Sequence, residues 1–186
     1  TLDLDVATAG LSTAPPSSLE IHPFRSALLL GLGYAALASA SLYLSRQPGS
    51  IATIWYPNAL AVAVLMHAPA GLRSAGLWLA VALAMVAANL AWSPDVGLAL
   101  SFLPANLLEM AIGVWLLRRA KLHQANLRSP WTVLRLLLLG GVLPQLAGAT
   151  AGAVALGWSS AQPWTDNWLH WFEGSVPGAL SLLVLS

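Results

Sequence analysis

Six apolar stretches, at roughly residues 26–45, 51–68, 72–91, 97–117, 131–157 and 166–186, occupy almost the whole chain after its first two dozen residues. A bilayer core asks for about 20 mainly apolar residues per helix, and backbone polar groups in hydrocarbon must be satisfied within the protein. Those demands point to an all-α fold, a polytopic transmembrane helical bundle of about six spans. The separators are short and turn-like or polar, among them "SRQPGS", "HAPAGLR", "WSPD" and "SSAQPWTDN". Charged residues are 8% of the chain, against roughly a quarter in soluble domains, and the net charge of +1 gives no case for a nucleic-acid partner. Without cysteine, disulfides, thiol catalysis and thiolate metal sites are excluded.

Residues 1–24 are rich in Ser, Thr, Pro and small side chains and lack an apolar core behind a basic flank. They read as a disordered or tag-like tail, not a signal peptide. Residues 25–186 form one transmembrane domain, and the closing run "LSLLVLS" meets no basic flank, so it reads as truncated at its C-terminus. Arg118, Arg119, Lys121, Arg128 and Arg135, five of the eight basic residues, flank a single connection. By the positive-inside rule that connection is cytoplasmic, and counting back places the N-terminus there too, with only Arg46 dissenting. Trp55, Trp92, Trp158, Trp164, Trp168 and Trp171 then fall near outer ends, as an interfacial belt requires.

Within the fifth stretch, Gly140, Gly141 and Pro144 predict a tilt or kink. Gly148 and Gly152, spaced as GxxxG, let another helix approach closely, and packing inside the bundle accounts for them better than a dimer seam. The polar residues inside the spans matter most for function. Asn106 and Glu109, three apart on one helical face, sit near mid-membrane, where an ionisable group normally pairs or works. Trp55 and Asn58 flank Pro57 in the second stretch, Gln145 follows Pro144, and Trp168, Trp171 and Glu173 open the sixth. If these faces converge they line a polar, Trp-walled pocket for a small molecule, with Trp55, Asn58, Asn106, Glu109, Gln145, Trp168, Trp171 and Glu173 as its ligand-binding candidates.

Simpler readings stay open beside that one. Asn89 and Asn106 can bridge helices, Gln145 and Thr150 can satisfy backbone groups freed by a kink, and His67, His170 and most tryptophans suit an interface. No phosphate-binding Gly-Lys loop, HExxH pair or Gly-x-Ser-x-Gly elbow is present. Neither enzyme activity nor a metal or cofactor is therefore expected of this segment.

At the same residues the chain resembles the first class of membrane-associated sensor domains (MASE type 1), the N-terminal input domains of bacterial histidine kinases, diguanylate cyclases and related phosphodiesterases. "IWYPNALAVAVLM" is similar to the family's Trp-x-Pro-x-Gly-aliphatic helix, "NLLEMAIGVWLLRR" to its Asn-x-x-Glu helix ending in two Arg, and "WLHWFEGSVPGALSLLVLS" to its Trp-x-x-Trp-aromatic-x-Gly-Asp-x-x-Gly segment. The match departs at Ala59, where Gly is usual, and at Ser175, where Asp is common and Glu173 stands two residues earlier. The family has about eight helices. The resemblance implies a multi-pass domain of the bacterial inner membrane, homodimeric through its full-length receptor, that senses an undefined signal. Its output would be a cytoplasmic histidine kinase or cyclic-di-GMP enzyme beyond residue 186. The alternative is a substrate-binding membrane subunit of a transporter or a small carrier, and a third reading is a structural anchor. Apart from a small-molecule signal, membrane lipid is the expected partner.

Overall fold

The computed structural model describes residues 23–45, 52–68, 72–93, 95–124, 128–157 and 162–183. Expectations for most of the N-terminal tail, Arg46 and Trp158 lie outside the described residues. The elements are α1 (Pro23–Ser45), α2 (Pro57–Leu65), α3 (Leu72–Trp92), α4 (Val96–Arg119), a 3-10 turn (Leu122–Gln124), α5 (Pro130–Leu136), a π turn (Leu137–Val142), α6 (Leu143–Leu156) and α7 (Trp164–Leu183). The fold is all-helical, and among the described residues four rods are long and apolar enough to cross a membrane: Phe24–Leu44, Ser74–Trp92, Val96–Arg119 and Pro130–Leu156. The chain is therefore a multi-pass membrane protein.

The other two expected spans differ from that pattern. At 20 residues α7 has the length, but Asp166, His170 and Glu173 make its first half polar. Of the stretch at residues 51–68, only the nine residues Pro57–Leu65 form α2, ~13 Å of helix against a hydrocarbon core of about 30 Å. Proline explains the late start. Its ring disfavours helical geometry in the preceding residue and suits the first helical position, where no N–H is needed. Residues 52–56 therefore approach α2 without forming a helix. Such backbone is tolerated at membrane depth when protein buries it, and the Trp55 amide donates to the Gly174 carbonyl at 2.9 Å.

Packing places α2 at the centre, against α1, α4 and α7, with α3 beside α1 and α6 wedged between α4 and α7. Pro57, Asn58, Ala59, Ala61, Val62 and Leu65 are all buried. Around them the core is Tyr34, Val81, Met85, Met110 and Leu117. Two side-chain devices fix helix ends. The Asp95 carboxylate accepts from the Leu98 amide at 3.0 Å, capping α4.

At the other end of α4, Arg118 reaches across to the base of α2. Its Nε donates to the Met66 carbonyl at 2.9 Å, and one Nη donates to those of Leu65 and Ala68 at 2.6 and 2.5 Å. These carbonyls lie at and just past the end of α2, where the regular helix ladder no longer supplies partners; that of Leu65 also accepts from the Ala68 amide at 3.1 Å. The sequence marked Arg118 only as a topological charge. Bonds from a charged donor contribute about 1.5–3 kcal/mol, so Arg118→Leu should lower unfolding stability by about 2 kcal/mol in a detergent titration. An unchanged midpoint would deny the cap.

The expected irregularity in the fifth stretch is a π turn ending two residues before Pro144. Proline has no N–H and its ring crowds the carbonyl four residues back, here Gly140, so the regular ladder opens. Buried Gly140 and Gly141 let the widened turn pack against α4 and α7.

Candidate functional site

The first turn of α2 points Asn58 into the centre of the bundle, where its amide ties three helices together. The Tyr34 hydroxyl of α1 donates to Asn58 Oδ1 at 2.8 Å. Asn58 Nδ2 donates to Asn106 Oδ1 and to Glu109 Oε1 of α4, both at 2.8 Å. Asn106 in turn gives its own Nδ2 to the Phe102 carbonyl at 2.9 Å. That last bond fixes both amides. With its nitrogen committed, Asn106 can only accept, so Asn58 must present its nitrogen to α4 and its oxygen to Tyr34.

All four side chains are buried, and Glu109 is 2% exposed. Among the described residues no basic side chain pairs with it, and its Oε2 has no hydrogen-bond partner. The carboxyl is held instead by the Asn58 amide, with the polar ends of Trp171 and Ser175 beside it and close walls around it. An added Cβ at Gly148 would stand 2.5 Å from Glu109 Oε2, and one at Gly152 would run into the Trp171 ring. The GxxxG pair of α6 thus admits a carboxyl from α4 and an indole from α7, which is packing inside one bundle.

Above the cluster, on the side away from Arg118, lies a cavity of about 40 Å³ lined by Trp55, Asn89, Phe102, Asn106, Trp171 and Ser175. A single water needs about 10–15 Å³ of such room, so the space suits a few waters or a very small molecule. Trp171 sets its ring against Phe102, centroids 5.6 Å apart. The indole nitrogens of Trp55 and Trp171 are buried without a hydrogen-bond partner. Buried polar groups are ordinarily satisfied; the two indoles lie beside the Tyr34 hydroxyl and the Glu109 carboxyl respectively, without completing a hydrogen bond to either.

The eight candidates separate in space. Trp55, Asn58, Asn106, Glu109 and Trp171 come together. Gln145 is buried with its Oε1 unpartnered, but does not line the cavity. Trp168 stacks on Phe172 and donates its indole N–H to Thr150 Oγ1 at 3.1 Å, on the outer side of α6 and α7. Glu173 is exposed. Two residues turn a helix by about 200°, so Glu173 cannot stand in for an acid at position 175, where buried Ser175 meets the cavity. Asn89 also lines the cavity but gives its Nδ2 to the Met85 carbonyl of its own helix at 2.9 Å, so it bridges no helices through that group.

Tyr34 escaped the sequence reading, although a lone hydroxyl in the apolar run "GLGYAALA" signalled it. Gly178 escaped too. Added Cβ atoms would meet the Ala52 carbonyl at Gly174 and the Trp55 carbonyl at Gly178. These two glycines seat the non-helical approach to α2.

The MASE1 family model matches residues 26–185. No curated protein and no solved structure matches the chain.

Proposed function

Since the chain belongs to the MASE1 family and is a membrane sensory input domain, we propose that its signal is a small molecule bound in the Trp-walled cavity over the Asn58, Asn106 and Glu109 cluster. The observation that carries this reading is a cavity walled by Trp55 and Trp171, whose buried indole N–H groups make no hydrogen bond, and reached by Asn106 of the polar network. A ligand accepting from either indole would give that N–H the hydrogen bond it lacks. Trp55 precedes α2 while Trp171 rides on α7, so such a ligand bears on the packing of one against the other. It shifts the equilibrium only to the extent that it prefers one packing. Movement of α7 is then relayed to a cytoplasmic kinase or cyclic-di-GMP output beyond residue 186.

Mass spectrometry of small molecules released from the detergent-purified protein tests this, comparing wild type with Glu109→Gln and Trp171→Phe. The expected result is a stoichiometric compound in wild type, reduced at least about tenfold in both folded variants. Equal retention in all three, or no compound in any, would overturn the reading. The interrupted α2 favours a second one, a substrate-binding transport module, because carriers place substrates at broken helices near mid-membrane. Accumulation of the released compound by proteoliposomes would select transport over sensing.

A further inference from the structure

The basic end of the bundle carries a second cleft, unrelated to the cavity above. It lies between α3 and α4, has a volume of about 460 Å³, and is lined by Trp78, Ala111, Val114, Trp115, Arg118 and Arg119. The five α4 residues are spaced i, i+3, i+4, i+7 and i+8, so they form one continuous stripe ending in two guanidinium groups. Trp78 of α3 faces that stripe, and Trp115 is 62% exposed. From apolar wall to indoles to cations, the order matches a lipid passing from acyl chain through interface to headgroup.

Charge selects the kind of lipid. The acidic residues among those described are Asp95, Glu109, Asp166 and Glu173. Asp95 caps the opposite end of α4, Glu109 is buried in the cluster, and the other two sit in the first half of α7, away from the basic end. Arg118, Arg119, Lys121 and Arg135 thus meet no described carboxylate at their end. Arg118 spends three bonds on neutral carbonyls, which leave its charge in place. Arg119 is exposed at the mouth of the cleft. Basic pockets between membrane helices on the cytoplasmic side favour anionic headgroups.

We infer that this cleft is a binding site for an anionic phospholipid, its phosphate on Arg119 and Arg118 and its interfacial region between Trp78 and Trp115. Arg118 also holds the base of α2, whose first turn carries Asn58. A lipid phosphate on Arg118 therefore bears on the same short helix that supports the cavity. This site stands independently of any ligand there.

Native mass spectrometry of the detergent-solubilised chain, titrated with phosphatidylglycerol and with phosphatidylethanolamine of identical acyl chains, tests the inference. Wild type should prefer phosphatidylglycerol by about fivefold or more, the scale of one basic side chain acting on an anionic surface. Arg119→Gln should remove that preference without unfolding, because the side chain is exposed. Trp115→Ala, also at an exposed position, should weaken phosphatidylglycerol binding several-fold while sparing the cap that Arg118 makes. Inorganic phosphate at millimolar concentration should not displace the lipid. Equal affinity for the two headgroups, wild-type binding by Arg119→Gln, or displacement by inorganic phosphate would each overturn the proposal.

Discussion

Asn58→Leu should destabilise the bundle by about 2–4 kcal/mol, more than loss of any single partner of the network. The two side chains share a branched outline of four heavy atoms, although leucine is the bulkier, so the shape of the packing is largely kept. Three bonds disappear together, leaving the Tyr34 hydroxyl, the Asn106 oxygen and the Glu109 Oε1 buried without their partner. Each such group costs about 1–3 kcal/mol in soluble proteins. Interhelical bonds in membranes average only about 0.6 kcal/mol, because the separated helices find other partners. The membrane figure sets the lower bound and the desolvated carboxyl raises the total. Tyr34→Phe, which removes one of the three bonds, should cost about 1 kcal/mol or less by the same reasoning. Asn58→Asp keeps the acceptor for Tyr34 but turns an oxygen toward two oxygens of α4, so it should destabilise as much as leucine. Unfolding titrations in mixed micelles followed by tryptophan fluorescence would measure the series. If leucine costs no more than Tyr34→Phe, the network is ornament and the bundle stands on packing alone.

Much of this arrangement was legible beforehand because the bilayer restricts what a chain can do. Apolar runs of membrane length forecast the helices, and polar residues inside them forecast the cluster, since a carboxyl such as Glu109 is tolerated there only with partners or a function. The fate of residues 51–68 was not legible. Hydropathy sees an apolar run and is blind to whether its backbone is helical, and only the contact with Gly174 and Gly178, more than a hundred residues away, lets residues 52–56 lie unwound. Glu173 was misplaced for a related reason. Proximity in sequence to position 175 suggested substitution, whereas helical rotation puts the two side chains on nearly opposite faces. Arg118 was read through its charge alone, because its carbonyl partners follow from where α2 ends, and that end was not foreseen.

Gly178→Val should detach the approach to α2 from α7, and the chain's lack of native cysteine allows a clean measurement. An added Cβ at position 178 would collide with the Trp55 carbonyl and lie 3.1 Å from the Tyr56 nitrogen. Both are backbone atoms, which cannot swing aside as a side-chain tip can, so the whole segment must lift. Lifting it stretches the Trp55 to Gly174 hydrogen bond and withdraws Trp55 from the cavity wall. Ala52, 6% exposed in the native packing, is the natural reporter position. In an Ala52→Cys background, Gly178→Val should raise the rate of labelling by a water-soluble maleimide at least about tenfold. Gly76→Val is the matched control, since an added Cβ there meets nothing within 4 Å. Equal labelling in both valine variants would mean that the segment holds its place without the glycine seat. A rise confined to Gly178→Val would show that α7 and the wall of the cavity move as one, the mechanical link that a sensor reading requires between a small ligand and a long helix.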